Sequence, residues 1–304
     1  DDAIAPEAFA AREFQNNFKL VTGATLPILK ESDLVGGDAP RICIGQTRFA
    51  HQALADLKWD SLGHDGIVIK TVGSNLILAG GRPRGTIYAV NTFLEDTVGI
   101  RWWTSDESTI PHTASLVVAE QNIVYVPTLV YRESFNYDAE DDHALFATRL
   151  KLNGHFVHIP PDEGGHYNII GWCHTSFNLI PPGKYFARHP DCFAEINGKR
   201  QPTSQLCLCN PQMKAELIRR VLARVRKNPQ AGIISVSQHD TFGPCQCDAC
   251  RKIDAEEGSE SGAWIRLVNY VAAAVNKEYP GFLVETLAYQ YTRKPPKITR
   301  PSDH

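Results

Sequence analysis

Residues 232–250 read GIISVSQHDTFGPCQCDAC. The first six, Gly232 to Ser237, are a short apolar run of the kind a buried strand provides. The run ends in Gln238, His239 and Asp240, and three cysteines follow at C-x-C-x2-C spacing. The flanking segments give that strand its partners. Pro211 to Lys227 sets Met213, Leu217, Val221 and Val225 at four-residue steps, one face of a helix. Ser261 to Lys277 is a second helix, with Ile265, Val268, Ala272 and Val275 expected inward, and Leu283 to Tyr289 (LVETLAY) is a second strand. Strands alternating with helices predict a parallel sheet, because parallel neighbours need a crossover long enough to hold a helix.

The alternation reaches upstream to about residue 126. Leu129 to Phe135 (LVYRESF) and Asn153 to Ile159 (NGHFVHI) are read as strands, with a helical stretch from Asp141 to Leu150 between them. Residues 126–304 are therefore expected to form a (β/α)8-type, TIM-type barrel. A full barrel takes about 250 residues, and about 180 follow residue 126. The expectation is thus the N-terminal part of an incomplete barrel; a smaller, complete α/β layer domain is the competing reading. Residues 1–125 differ in style. Phe9, Phe14 and Phe18 mark an amphipathic helix over 6–21, and Arg41 to Gly45 reads as a strand. Gly66 to Lys70 and Asn75 to Ala79 read as a hairpin. GGRPRGTIYAVNTFLEDTVGIRWW (80–103) gives a Gly-rich turn and a helix stopped by Gly99. This order describes a small α+β domain.

The chain of 304 residues is 43% hydrophobic and 21% charged, with a net charge of −3. That balance gives no reason to expect a nucleic-acid partner. No apolar stretch reaches the roughly 18 residues a membrane span needs.

In barrels of this type, catalytic groups sit at the C-terminal ends of strands. The residues expected there are His158, Gln238, His239, Asp240, Tyr289 and Tyr291, with Trp172 and His174 from the loop after His166. Polar, acidic and aromatic groups together suit a sugar, whose flat faces stack on rings and whose hydroxyls need polar partners. Glycoside cleavage needs a carboxyl near the leaving oxygen. Asp240 and Glu257 are the candidates; a turn aspartate and a solvated helix-start glutamate are the alternatives. No cofactor is expected for catalysis.

Eight cysteines are present. Cys245, Cys247 and Cys250, with Cys207 or Cys209 as a fourth partner, fit either a closed structural zinc site or disulfides. A redox role is disfavoured, because the C-x2-C does not open a helix directly after a strand.

Several stretches together resemble known families. GGRPRGTIYAVNTFLEDTVGIRWW is similar to the domain preceding the barrel in family 20 hexosaminidases and family 67 α-glucuronidases. FARHPDCFAEINGKR, QLCLCNP, SVSQHD with CQCDAC, EEGSESGAWIRLVNYVA and TLAYQYTRKPPK resemble the bacterial domain-of-unknown-function family 4838, associated with glycoside hydrolase family 163. The resemblance covers about residues 80 to 298. It implies a secreted, periplasmic or cell-surface bacterial enzyme cleaving β-N-acetylglucosamine linkages in complex N-glycans, with an oligosaccharide or glycoprotein glycan as partner. It implies retention with assistance from the substrate's acetamide. Where the family 20 pattern has an adjacent Asp-Glu pair, this chain has His239-Asp240. Asp240 then orients the acetamide, and the acid falls to Glu257 or to a residue outside this chain. An α-glucuronidase-like enzyme, needing arginines such as Arg132 or Arg188 for an acid sugar, and a non-catalytic glycan-binding protein are the alternatives.

Overall fold

The structure, a computed structural model, describes residues 2–34, 39–140 and 143–303. The chain divides into two compact units, Asp1–Tyr167 and Asn168–His304. The first unit thus extends past the boundary read near residue 126.

In chain order the first unit contains α1 (Ala5–Thr22), β1 (Ile42–Ile44), α2 (Arg48–Ala53), β2 (Ile67–Val72), β3 (Asn75–Gly80) and α3 (Gly85–Phe93). The short elements β4 (Arg101–Trp102), β5 (Ser108–Thr109), β6 (Asn122–Tyr125), α4 (Tyr137–Glu140) and α5 (Ala144–Arg149) complete it. Its main sheet has the order β1-β3-β2-β6. The expected hairpin is β2 and β3, joined through Gly73 at φ 59°, a left-handed position that favours glycine. The core holds Phe14 of α1 against Phe93 of α3, with Ile87, Val90 and Leu94 all buried on the face assigned to the sheet. Gly23 and Gly99 end their helices in the left-handed conformation.

The GGRPRG turn is a packing device. A Cβ on Gly81 would lie 1.9 Å from the Gly63 carbonyl oxygen, and one on Gly85 would lie 2.2 Å from that of Gly66. The two arginines face carboxylates: Arg82 pairs with Glu7 at 3.0 Å and Arg84 with Asp65 at 2.6 Å.

Two expected strands are absent. Residues 129–135 and 153–159 are not strands; they are joined through side chains. The amide of Asn153 accepts from Arg132 N–H at 2.8 Å and donates to Val130 O and to Asp65 Oδ2, each at 2.9 Å. Asn153 N–H donates to Arg132 O. Glu133 accepts from the Phe156 N–H and the Tyr131 hydroxyl. The succession of apolar and helical segments points to strands here, but these segments carry polar side chains that take over the ladder's work. Of the expected helix from Asp141, Asp141 and Asp142 lie outside the described residues, and α5 covers the rest.

The second unit contains β7 (Asn168–Ile170), α6 (Ser176–Leu179), α7 (Pro182–Tyr185), β8 (Glu195–Ile196), β9 (Lys199–Arg200) and α8 (Pro211–Lys227). It continues with β10 (Gly232–Ser235), α9 (Asp248–Glu257), α10 (Ser261–Glu278) and β11 (Leu283–Glu285). A three-stranded sheet runs β11-β10-β7, parallel throughout, with Ile233 opposite both Ile169 and Leu283. Among the described residues this is α/β architecture but not a closed barrel, since the two strands expected upstream do not form. α8 buries Met213, Leu217, Val221 and Val225 as the spacing predicts. Each such side chain contributes roughly 1.5–3 kcal/mol. In α10 the inward face carries Trp264, Leu267 and Val271 with Val268, Ala272 and Val275; Ile265 is only half-buried.

Asn153 is fully buried, and truncating it strands a donor and two acceptors at once. Asn153→Ala should lower the unfolding free energy by on the order of 3 kcal/mol, read from denaturant titration; an unchanged midpoint would show that water replaces the amide.

Candidate active site at the ends of the parallel strands

The C-terminal edge of the second unit's sheet is where the chain departs from regular backbone. Gly171, Trp172 and His174 follow β7 with φ of 89°, 55° and 50°, and Gln290, beyond β11, has φ 51°. Three non-glycine residues in the left-handed region along one edge are strained positions, which cluster at functional sites.

Thr175 holds this edge together. Its hydroxyl accepts from Ser237 N–H at 3.0 Å and donates to Ser235 O at 2.9 Å. Its own N–H donates to Ser237 Oγ, and Ser176 N–H donates to Ser237 O. Pairing between the β7 and β10 segments therefore continues after β7 has turned away. His174 is carried inward, with Nδ1 2.9 Å from Gln238 O and its ring 5.5 Å from that of Tyr289. His239 stacks on Phe177 at 4.2 Å, and burial holds its imidazole below the usual histidine range, with the charge of nearby His174 adding to the effect. Buried Gln238 donates to Tyr289 O and Thr292 Oγ1. Asp240 is exposed and accepts from Gln290 Nε2 at 3.0 Å.

One further carboxyl belongs here. Glu285 ends β11 opposite Ser235. Burial raises its pKa, opposed by a hydrogen bond from Ser235. The thiol of Cys173 is pushed up by burial and then by the charges of Glu285 and Asp240. Four buried polar atoms of this edge have no protein partner: Gln238 Oε1, His239 Nδ1, Glu285 Oε2 and Gln290 Oε1. Buried polar atoms are nearly always satisfied, so such a group calls for a ligand or water. Sequence reading placed Glu285 inside a strand running on to Tyr289. Because β11 stops at Glu285, the residue becomes a strand-end carboxyl. The signal was a lone glutamate in an apolar run.

The other expected residues divide clearly. Trp172, His174, Gln238, His239, Asp240 and Tyr289 are brought to this edge. Tyr291 is not: it lines a small hollow with Gln205, Cys245, Cys250 and Asp254, and burial raises its pKa. His158 belongs to the first unit, exposed, with its ring edge-on to His166 at 6.2 Å. Glu257 is corrected from candidate acid to structural anchor. It is fully buried and accepts from Arg266 at 2.5 Å, from the N–H groups of Ile298 and Thr299 at 3.0 Å each, and from the Thr299 hydroxyl. Those bonds, the Thr299 hydroxyl first, hold its carboxyl down to about 2, leaving neither a proton to give nor a free lone pair. Arg132 is equally committed, to Asp65 at 3.1 Å and to the Lys151 and Leu129 carbonyls. It is no free clamp for an acid sugar. A larger hollow, bounded by Tyr185, His189, Glu216 and Arg219, includes none of the strand-end residues.

The fold and this edge define an α/β protein with a polar and aromatic site at the ends of parallel strands. Residues 102–304 match the family described as Domain of unknown function (DUF4838), and the chain belongs to that family. One solved structure that aligns with it is described as a novel family GH115 4-O-methyl-α-glucuronidase with specificity for decorated arabinogalactans. The two are 12% identical at a TM-score of 0.43, over 90% of this chain and 38% of that one. This chain thus spans well under half of that protein. No curated protein matches the sequence.

A carboxylate held down to about 2 stabilises the fold at and above the ordinary carboxylate range, and its contribution is lost as pH falls toward 2. Glu257→Gln should therefore lower Tm at pH 7, with the deficit shrinking progressively below about pH 4.3. A deficit unchanged down to pH 2 would mean that charge plays no part.

Proposed function

We propose that the protein is a glycoside hydrolase and that this strand-end edge carries its acid chemistry. The observation behind the reading is Glu285: a carboxyl at the end of β11, opposite Ser235, with a raised pKa and an unpartnered oxygen. Breaking a glycosidic bond requires a proton on the leaving oxygen, and a carboxyl whose pKa is raised by burial keeps its proton to higher pH than a solvated one. Tyr289, His174 and Trp172 offer rings to the sugar faces, and Gln238, Gln290 and His239 offer free acceptor or donor atoms to its hydroxyls.

The finer reading follows the resemblance to enzymes acting on β-N-acetylglucosaminides. Glu285 protonates the departing oxygen while the substrate's acetamide oxygen attacks the anomeric carbon and breaks the bond. Asp240, fixed by Gln290, accepts from the acetamide N–H and steadies the group for attack. Water, losing its proton to the same Glu285, then opens the cyclic intermediate with retention. The substrate is a complex N-glycan.

Incubation with a glycoprotein carrying complex N-glycans should release free oligosaccharide. Glu285→Gln should reduce kcat at least ~100-fold, the scale of a general acid, and wild-type activity should fall as pH rises through the raised pKa of Glu285. Undiminished turnover by Glu285→Gln would sink the assignment, and glycan retention without release would leave a binding protein. The same variant should be more stable than wild type at pH 7 but not at pH 4, because a carboxyl with a raised pKa destabilises the folded state only where it must ionise. Paired Tm measurements check this.

A further inference from the structure

The cysteine-rich loops of the second unit form a site that the proposed hydrolysis does not use. Cys207 lies before α8, Cys245 lies before α9, and Cys247 and Cys250 sit at the cap and first turn of α9. The C-x2-C spacing puts the last two on one face of the helix start. Their four sulfur atoms lie within 4.8 Å of one another, and Cys207 Sγ is 3.7 Å from Cys247 Sγ. Zinc held by four thiolates at about 2.3 Å sets tetrahedral sulfur–sulfur edges of about 3.8 Å. A disulfide would draw two sulfurs to about 2.05 Å, and nothing in a pair of disulfides requires all four to converge. All eight cysteines are free.

The surroundings suit thiolates. Cys207, Cys245 and Cys250 are buried, and Ala194 and Ile196 close the cluster. Glu195 N–H donates to Cys245 Sγ at 3.3 Å, and Arg200 Nη1 approaches the same sulfur at 3.9 Å. A positive group and an N–H on a ligand sulfur are the outer support that metal thiolates use, and the start of α9 favours negative charge. Cys209 is different: it meets Cys250 at 3.3 Å but is not one of the four that converge.

We propose that Cys207, Cys245, Cys247 and Cys250 bind one zinc ion in a closed structural site, with Cys209 outside the ligand set. The ion ties the segment before α8 to the segment after Asp240. Two residues before Cys207, the Gln205 side chain donates to His239 O and Thr241 O and accepts from His239 N–H. The zinc clip thereby sets where the end of β10 delivers His239 and Asp240, although no ligand touches substrate.

Elemental analysis of protein purified without chelator should find one zinc per chain. Cys245→Ser and Cys247→Ser should retain under a tenth of that, and Cys209→Ser should retain all of it. Should the ligand variants fail to fold, titrating wild type with a thiol-binding mercurial should release one equivalent of zinc to a colorimetric chelator and lower Tm. Under a tenth of an equivalent in wild type grown with added zinc would overturn the site. So would an intact mass lacking two hydrogens per cysteine pair. Loss of the metal from Cys209→Ser would overturn the ligand set.

Discussion

The candidate site depends on one hydroxyl. A parallel strand that stops must leave its neighbour's N–H and C=O groups unpaired, and buried groups of that kind cost about 1–3 kcal/mol each. Thr175 resolves this beyond β7 by donating to Ser235 O and accepting from Ser237 N–H. The chain can then leave the sheet through Gly171, Trp172 and His174 without exposing the edge of β10. Everything nearby inherits its place from that substitution of side chain for strand. His174 reaches the Gln238 carbonyl, Tyr289 meets the His174 ring, and His239 rests on Phe177.

Two glutamates of the same unit show how environment divides roles among identical side chains. Glu257 accepts from two backbone N–H groups, a hydroxyl and a guanidinium. Every bond favours the anion, so it serves as a fixed charge that clasps residues 297–299. Glu285 has one hydroxyl partner, a desolvated setting and an idle oxygen. Burial therefore raises its pKa, the opposite direction from Glu257. The fold satisfies one carboxyl fully and leaves an oxygen of the other without a protein partner.

The parts legible in the sequence were those governed by periodicity. α8 turns Met213, Leu217, Val221 and Val225 inward because four-residue spacing on a helix leaves no other choice, and the Gly73 hairpin and the Gly99 stop follow from backbone freedom. The strand ends were legible in kind: Gln238, His239 and Asp240 do emerge from β10. What stayed hidden was set by partners distant in sequence. Glu257 looked like a solvated helix residue until Thr299 and Arg266 closed on it. LVYRESF and NGHFVHI read as strands in a β-then-α alternation, yet Asn153 and Glu133 satisfy their backbones sideways. Tyr289 and Tyr291, two residues apart, part company because the turn through Gln290 sends one ring to the strand-end edge and the other beneath the cysteines.

The amide that joins those two segments also gives the molecule a chemical clock. Asn153 is followed by Gly154, the pairing in which an asparagine side chain is most readily attacked by the next backbone nitrogen and converted to aspartate or isoaspartate. Gly154 has no substitute here, since a Cβ would lie 2.4 Å from that of Glu133. In the native state, bonds to Asp65, Val130 and Arg132 hold the amide in place, away from the attack geometry. Each excursion to the unfolded chain removes that protection, and one conversion sets a new carboxylate against Asp65 where a donor had been. Damage acquired while unfolded then hinders refolding, so the shelf life of the first unit is tied to its folding equilibrium.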